Sequence, residues 1–96
     1  MDPDLRRNLV EALKSRRWTH LDAERAAESI AVVYQAGEGE WKVWPSGNAM
    51  EPDRYRVARR EPLVSVYDSP LEGRARDVAG ALNELEGHDS DATGTH

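Results

Sequence analysis

The spacing of apolar residues changes period twice along this chain, and that change constrains its fold more than any other feature. Before Gly37 apolar positions recur every three or four residues. Between Glu40 and Asp68 they alternate, and from Leu71 onward the helical spacing returns. Two helices, a short run of strands and a closing helix are the elements this predicts, in the order α-α-β-β-β-α.

The first helical segment runs from Pro3 to about Ser15, with Asp2 as its N-cap and Pro3 at the first helical position, where a missing N–H costs nothing. Leu5, Leu9, Ala12 and Leu13 form one stripe, while Arg7 and Lys14 point away. Arg16 falls on the apolar stripe, so the helix is expected to stop before it and leave Trp18 in the connection as a plug over the core. Thr19 to Asp22 reads as a capping box for a second helix that continues to about Ala36 and ends at Gly37. Ala23, Ala26, Ala27, Ile30, Val33 and Tyr34 share its inner face, with Val32 on the polar side.

Glu40–Pro45, Arg54–Arg60 and Leu63–Asp68 read as strands rich in Trp, Tyr and Val, separated by a Ser46-Gly47-Asn48 turn region and by Glu61-Pro62. The tight second connection dictates an antiparallel hairpin, and a three-stranded meander is the simplest sheet. Ser69-Pro70-Leu71-Glu72 then combines an N-cap, a first-position proline and a glutamate in the first turn, predicting a third helix. Its stripe is Leu71, Ala75, Val78, Leu82 and Leu85, ending near Gly87. The fold class is therefore α+β, with helices packed mainly on one face of the sheet, over residues 1–87. Residues 88–96 are small and polar and read as a disordered tail.

A chain of 96 residues with net charge -5 supports one core. A domain of that size buries roughly 60 to 65% of its unfolded surface, which does not favour a deep catalytic cleft. The absence of cysteine excludes disulfides, thiolate catalysis and thiolate metal sites and points to a reducing, cytoplasmic setting. No apolar run is long enough to cross a membrane. The use of arginine over lysine fits a GC-rich genome, cellular or phage. No phosphate loop, dinucleotide fingerprint, nucleophile elbow or HExxH motif occurs. The Glu24/Glu28 and Glu38/Glu40 pairs lie where solvent surrounds them, without a neighbour to separate their acidities. His88, Asp89, Asp91 and His96 are donors in a segment that would have to be ordered to bind a metal. These observations predict neither an enzyme, a metal site nor a cofactor.

With Trp41, Val43, Tyr55, Val57, Val64 and Val66 facing the core, the other face of the sheet carries Lys42, Trp44, Arg54, Arg56, Arg60, Ser65 and Tyr67; the phase of the third strand stays open, the alternative turning Leu63 and Tyr67 inward. Trp, Tyr and Arg are the residues that anchor protein interfaces, and the expected function is a small non-catalytic module that binds another protein as an adaptor, inhibitor or regulatory accessory. Lys42, Trp44, Arg54, Arg56, Arg60 and Tyr67 are its candidate contacts. The same residues suit single-stranded nucleic acid, the alternative reading, which the acidic isoelectric point of about 5.1 disfavours. A third reading is a homodimer, through the open sheet face or through the last helix. There Gly73 and Gly80 lie seven residues apart with Asp77 between them, a place where a partner's backbone could come close.

The charge is unevenly spread. Residues 21–40 hold five acids and one arginine, whereas residues 41–60 hold five basic residues and two acids. Three strands about 10 to 14 Å wide cannot seat three helices of about 10 Å each side by side, so either the first helix rides on the other two or the second sheet face is covered.

Overall fold

A computed structural model describes residues 3–37, 39–60 and 63–87. The Asp2 cap, the Glu61-Pro62 turn, Glu38 and the 88–96 tail lie outside the described residues. The elements are α1 (Pro3–Lys14), α2 (His20–Val33), β1 (Lys42–Pro45), β2 (Tyr55–Arg60), β3 (Leu63–Ser69) and α3 (Glu72–Leu85). The sheet is antiparallel in the order β1-β2-β3, so class, element order and topology are those the sequence predicts.

Helix α1 stops before Arg16 because a turn closes it. The N–H of Trp18 bonds to the Leu13 carbonyl at 3.2 Å and that of Arg17 to Lys14 at 2.9 Å, the paired bonds of a Schellman motif. Arg17 occupies its left-handed position, with φ of 72°. Thr19 caps α2 by accepting from the Asp22 N–H at 3.1 Å. Only half of the expected capping box forms, because the Asp22 carboxylate instead receives Arg74 at 3.1 Å.

Helix α2 ends at Val33, three residues short of Ala36. Tyr34 is extended (φ -62°, ψ 137°), its ring set 6.0 Å from that of Trp41, so a tertiary contact ends the helix before Gly37 is reached. Val33 consequently stays 42% exposed, and Ala31 is buried. Helix α3 starts at Glu72 instead of Pro70. Ser69 remains in the strand, where its buried hydroxyl accepts from the Leu71 N–H at 3.0 Å. Leu71 is correspondingly exposed, while Ala75, Val78 and Leu82 are buried as spaced.

In the sheet, Val43 pairs with Val57 and Trp44 with Arg56. Between β2 and β3, Val57 pairs with Tyr67 and Ala58 with Ser65, so Val66 is an extra residue. This bulge turns both Val66 and Tyr67 toward the helices and shifts the strand's alternation by one beyond it.

The core joins Leu9 and Leu13 of α1, Ala27 and Ile30 of α2, Trp41, Val57 and Val66 around the sheet, and Val78 and Leu82 of α3. Helix α3 lies across all three strands, α2 lies along β3, and α1 rests on α2 and α3 without reaching a strand. The width constraint is thus met by stacking α1 on the other helices, and among the described residues no helix covers the second face of the sheet. Among the described residues no helix is long and apolar enough to cross a membrane.

Candidate functional site

The open face is built by alternation. Lys42 and Trp44 on β1, Arg56, Ala58 and Arg60 on β2, and Leu63 and Ser65 on β3 project from it, with Arg54 just before β2 on the same side. Lys42, Arg56, Arg60, Leu63 and Ser65 are exposed and Trp44 is half-buried. Ala58, at the centre, is too short to emerge between its neighbours and is only 5% exposed.

The cations differ in what holds them. Arg54 bonds to Asp68 at 2.9 Å and to Glu51 at 3.3 Å, so its charge is neutralised locally. Arg60 lies over Trp44, its guanidinium carbon 5.1 Å from the ring centre, a cation–π contact that leaves its N–H groups available. Among the described residues no carboxylate forms an ion pair with Lys42, Arg56 or Arg60. Among the described residues, three cations therefore surround an aromatic ring without an ion-pair partner.

Two hollows flank Trp44. One, of about 410 Å³, is floored by Ala58 and walled by Trp44, Pro45, Leu63 and Val64, with Arg56 and Arg60 at its rim. The other, of about 500 Å³, lies between Lys42, Trp44 and Arg60 on one side and Gly39 and Glu40 on the other. The first hollow has an apolar floor with cationic edges, which suits an acidic group beside an apolar one; the second sets the Glu40 carboxylate among the cations.

Tyr67 is not part of this face. The bulge places it opposite Val57 on the helix side, with its ring 6.4 Å from that of Trp18. Asp68 takes the outward position instead and engages Arg54, so two of the six expected contact residues are removed or neutralised by one extra residue in β3.

Sequence reasoning passed over Arg59. It belongs to the inward set with Tyr55 and Val57, and its side chain is fully buried. It pairs with Glu86, donates to the Gly39 carbonyl at 3.1 Å, and lies 4.1 Å from the centre of the Trp41 ring. Tyr34 also donates to Glu86, and the Trp41 indole N–H donates to it at 3.2 Å. Burial first, and the bond to Glu86 second, raise the Tyr34 hydroxyl above its ordinary pKa. Asn83 completes the cluster by bonding to both backbone groups of Trp41, at 2.8 and 3.0 Å. The signal for Arg59 was its parity with Val57; Glu86, one residue past the end of the α3 stripe at Leu85, carried no signal as its partner.

Gly73, Asp77 and Gly80 face the α1–α2 connection of their own chain. Asp77 accepts from the Trp18 indole N–H at 2.8 Å. A side-chain carbon at Gly80 would lie 3.3 Å from the Arg16 guanidinium, whereas at Gly73 it would meet nothing within 4 Å. Arg16 crosses there to reach Glu84 at 3.0 Å, so the close approach at Gly80 is internal. Arg74 lies 4.7 Å over the Trp18 ring and bonds to Asp22, which raises its pKa above the ordinary arginine value. The larger groove beside these residues, about 720 Å³, is lined by the paired Arg16, Asp22, Glu72, Arg74 and Asp77 together with Arg17 and Asp53.

No protein-family model, curated protein or solved structure matches the chain. The functional reading rests on the geometry of the open face.

Proposed function

We propose that this chain is a non-catalytic binding module whose open sheet face, centred on Trp44 with Lys42, Arg56 and Arg60 around it, docks on an acidic surface of another protein. The observation that carries this reading is the one-sided packing of the helices. Among the described residues it leaves exposed a face on which three cations have no ion-pair partner and two hollows flank an aromatic ring. Residues in such a setting contribute little to folding and a great deal to recognition.

An acidic protein fits better than nucleic acid. With Arg54 neutralised and Arg59 buried, the face offers only three available cations among the described residues. Phosphate backbones bind through several simultaneous contacts, and the remainder of this acidic chain repels them.

The test is site-specific photo-crosslinking in cells that make the protein, with a benzophenone amino acid replacing Ser65 on the open face or Gln35 at the end of α2. The reading expects an acidic protein crosslinked from position 65 and not from position 35. Nuclease-sensitive adducts at position 65, or no adduct there, would overturn it.

A further inference from the structure

We propose, resting on the reading of the open face as a protein-docking surface, that its occupant is a single amphipathic helix with acidic flanks, lying along β2 as the missing second layer of the sheet. An antiparallel sheet tolerates water on a polar face, whereas apolar surface such as the exposed Leu63 beside Trp44 gains from a covering layer of secondary structure. Three strands give a width of about 10 to 14 Å, and one helix is about 10 to 12 Å across, so the face seats one helix.

The relief of the surface runs the same way. Ala58 forms a low floor at the middle of β2, Trp44 rises on the β1 side and Leu63, 80% exposed, rises on the β3 side. The trough between them follows β2. Arg56 and Arg60 leave β2 four residues, and hence about 13 Å of backbone, apart, with the Arg60 guanidinium turned over Trp44. Two turns of helix rise about 11 Å. An apolar stripe of that length matches the run of β2 from Arg56 to Arg60, with carboxylates beside it meeting Arg56, Arg60 and Lys42. An extended segment would be held differently, because peptides in that form pair main-chain groups with the edge of a sheet, and a sheet's face offers no such groups.

The experiment is a fluorescence-anisotropy titration of the full chain against three labelled peptides. The first is a glutamate-rich helical peptide with leucines at i, i+3, i+4 and i+7. The second has the same composition with the leucines scattered around the helix, and the third carries lysine for every glutamate. The striped acidic peptide is expected to bind at least about tenfold more tightly than either control. It should gain helical circular dichroism on binding, and lose several-fold in affinity against Leu63→Ser.

Equal binding of the striped and scattered peptides, or binding without gain of helix, would overturn the helix while leaving the acidic-partner reading in place. Two results would overturn both. One is a labelled single-stranded oligonucleotide binding more tightly than any peptide. The other is a doubled mass in light scattering that Arg60→Glu returns to 10.8 kDa, which would show a second copy on the face.

Discussion

Arg59 lies 4.1 Å from the centre of the Trp41 ring, packed beneath the sheet, while its neighbour Arg60 lies over Trp44 on the opposite face. Two consecutive arginines thus make the same kind of contact, one inside the molecule and one in water. The alternation of a strand is enough to give them opposite roles.

The inner arginine is predicted to hold the fold. Arg59→Met would remove the Arg59 guanidinium from the largely buried Glu86 carboxylate beside Tyr34 and Trp41, at a cost of about 3 to 5 kcal/mol. Glu86→Gln keeps one acceptor oxygen where Tyr34 and Trp41 donate to two different ones, and the double variant should be less destabilised than the two single effects summed. Urea denaturation of the four proteins measures this coupling. Strict additivity would show that Arg59 and Glu86 act independently.

Arg17 holds the left-handed position of the α1 Schellman turn, where an L side chain is strained and glycine is not. Arg17→Gly should therefore stabilise the protein by roughly 0.5 to 1 kcal/mol, after the greater freedom glycine has in the unfolded chain is offset. For a domain of this size that is a rise of about 2 to 8 °C in Tm. A fall in Tm would mean that the Arg17 side chain makes a contribution larger than the strain.

Gly47 is packed against the far side of its own loop. A side-chain carbon there would lie 2.1 Å from the Pro52 carbonyl oxygen, a backbone atom. Gly47→Ala is expected to cost about 1 to 3 kcal/mol through displacement of the loop, whereas Gly73→Ala, on the open side of α3, should be neutral or stabilising by up to about 1 kcal/mol. Thermal melts of the two variants give the comparison, and similar Tm values for both would contradict the close packing of the loop.

The Tyr34 hydroxyl is held protonated by burial and by Glu86, so its pKa in the folded state exceeds the unfolded value of 10.0. The native state then binds the proton more tightly. The associated stability is complete below about pH 10 and is lost as pH rises through the higher folded value. Tyr34→Phe should abolish that part of the alkaline loss, and urea midpoints at about pH 8 and about pH 11 for both proteins test it. An unchanged alkaline loss in the phenylalanine variant would place its origin elsewhere.

The elements legible in the sequence were those fixed by local pattern. The stripe of α1, the end forced on it by Arg16, the Thr19 cap and the alternation of β2 depend on neighbours a few residues away. Contacts distant along the chain were not legible. Tyr34 leaves α2 because Trp41 and Glu86 hold it, and α3 starts late because Ser69 stays in the strand. The open face was legible on β1 and β2 but not past the middle of β3. A single extra residue at Val66 exchanged Tyr67 for Asp68 on the outer surface, and no local residue type announces such a bulge. The basic character assigned to residues 41–60 was likewise divided by burial, since Arg59 belongs to the core and Arg54 to an ion-pair cluster.

The measurement that tests the central claim most directly is the yield of protein crosslinked through position 65 when both outer arginines are reversed. Arg56→Glu with Arg60→Glu is expected to abolish the adduct while lowering stability by about 0.5 to 1 kcal/mol each, because Arg60 gives up its contact with Trp44 and Arg56 stands opposite Asp68. Glu24→Arg with Glu28→Arg, on the exposed face of α2, should leave the adduct intact. Retention of the adduct after reversal of Arg56 and Arg60, in a protein that still melts cooperatively, would contradict the account.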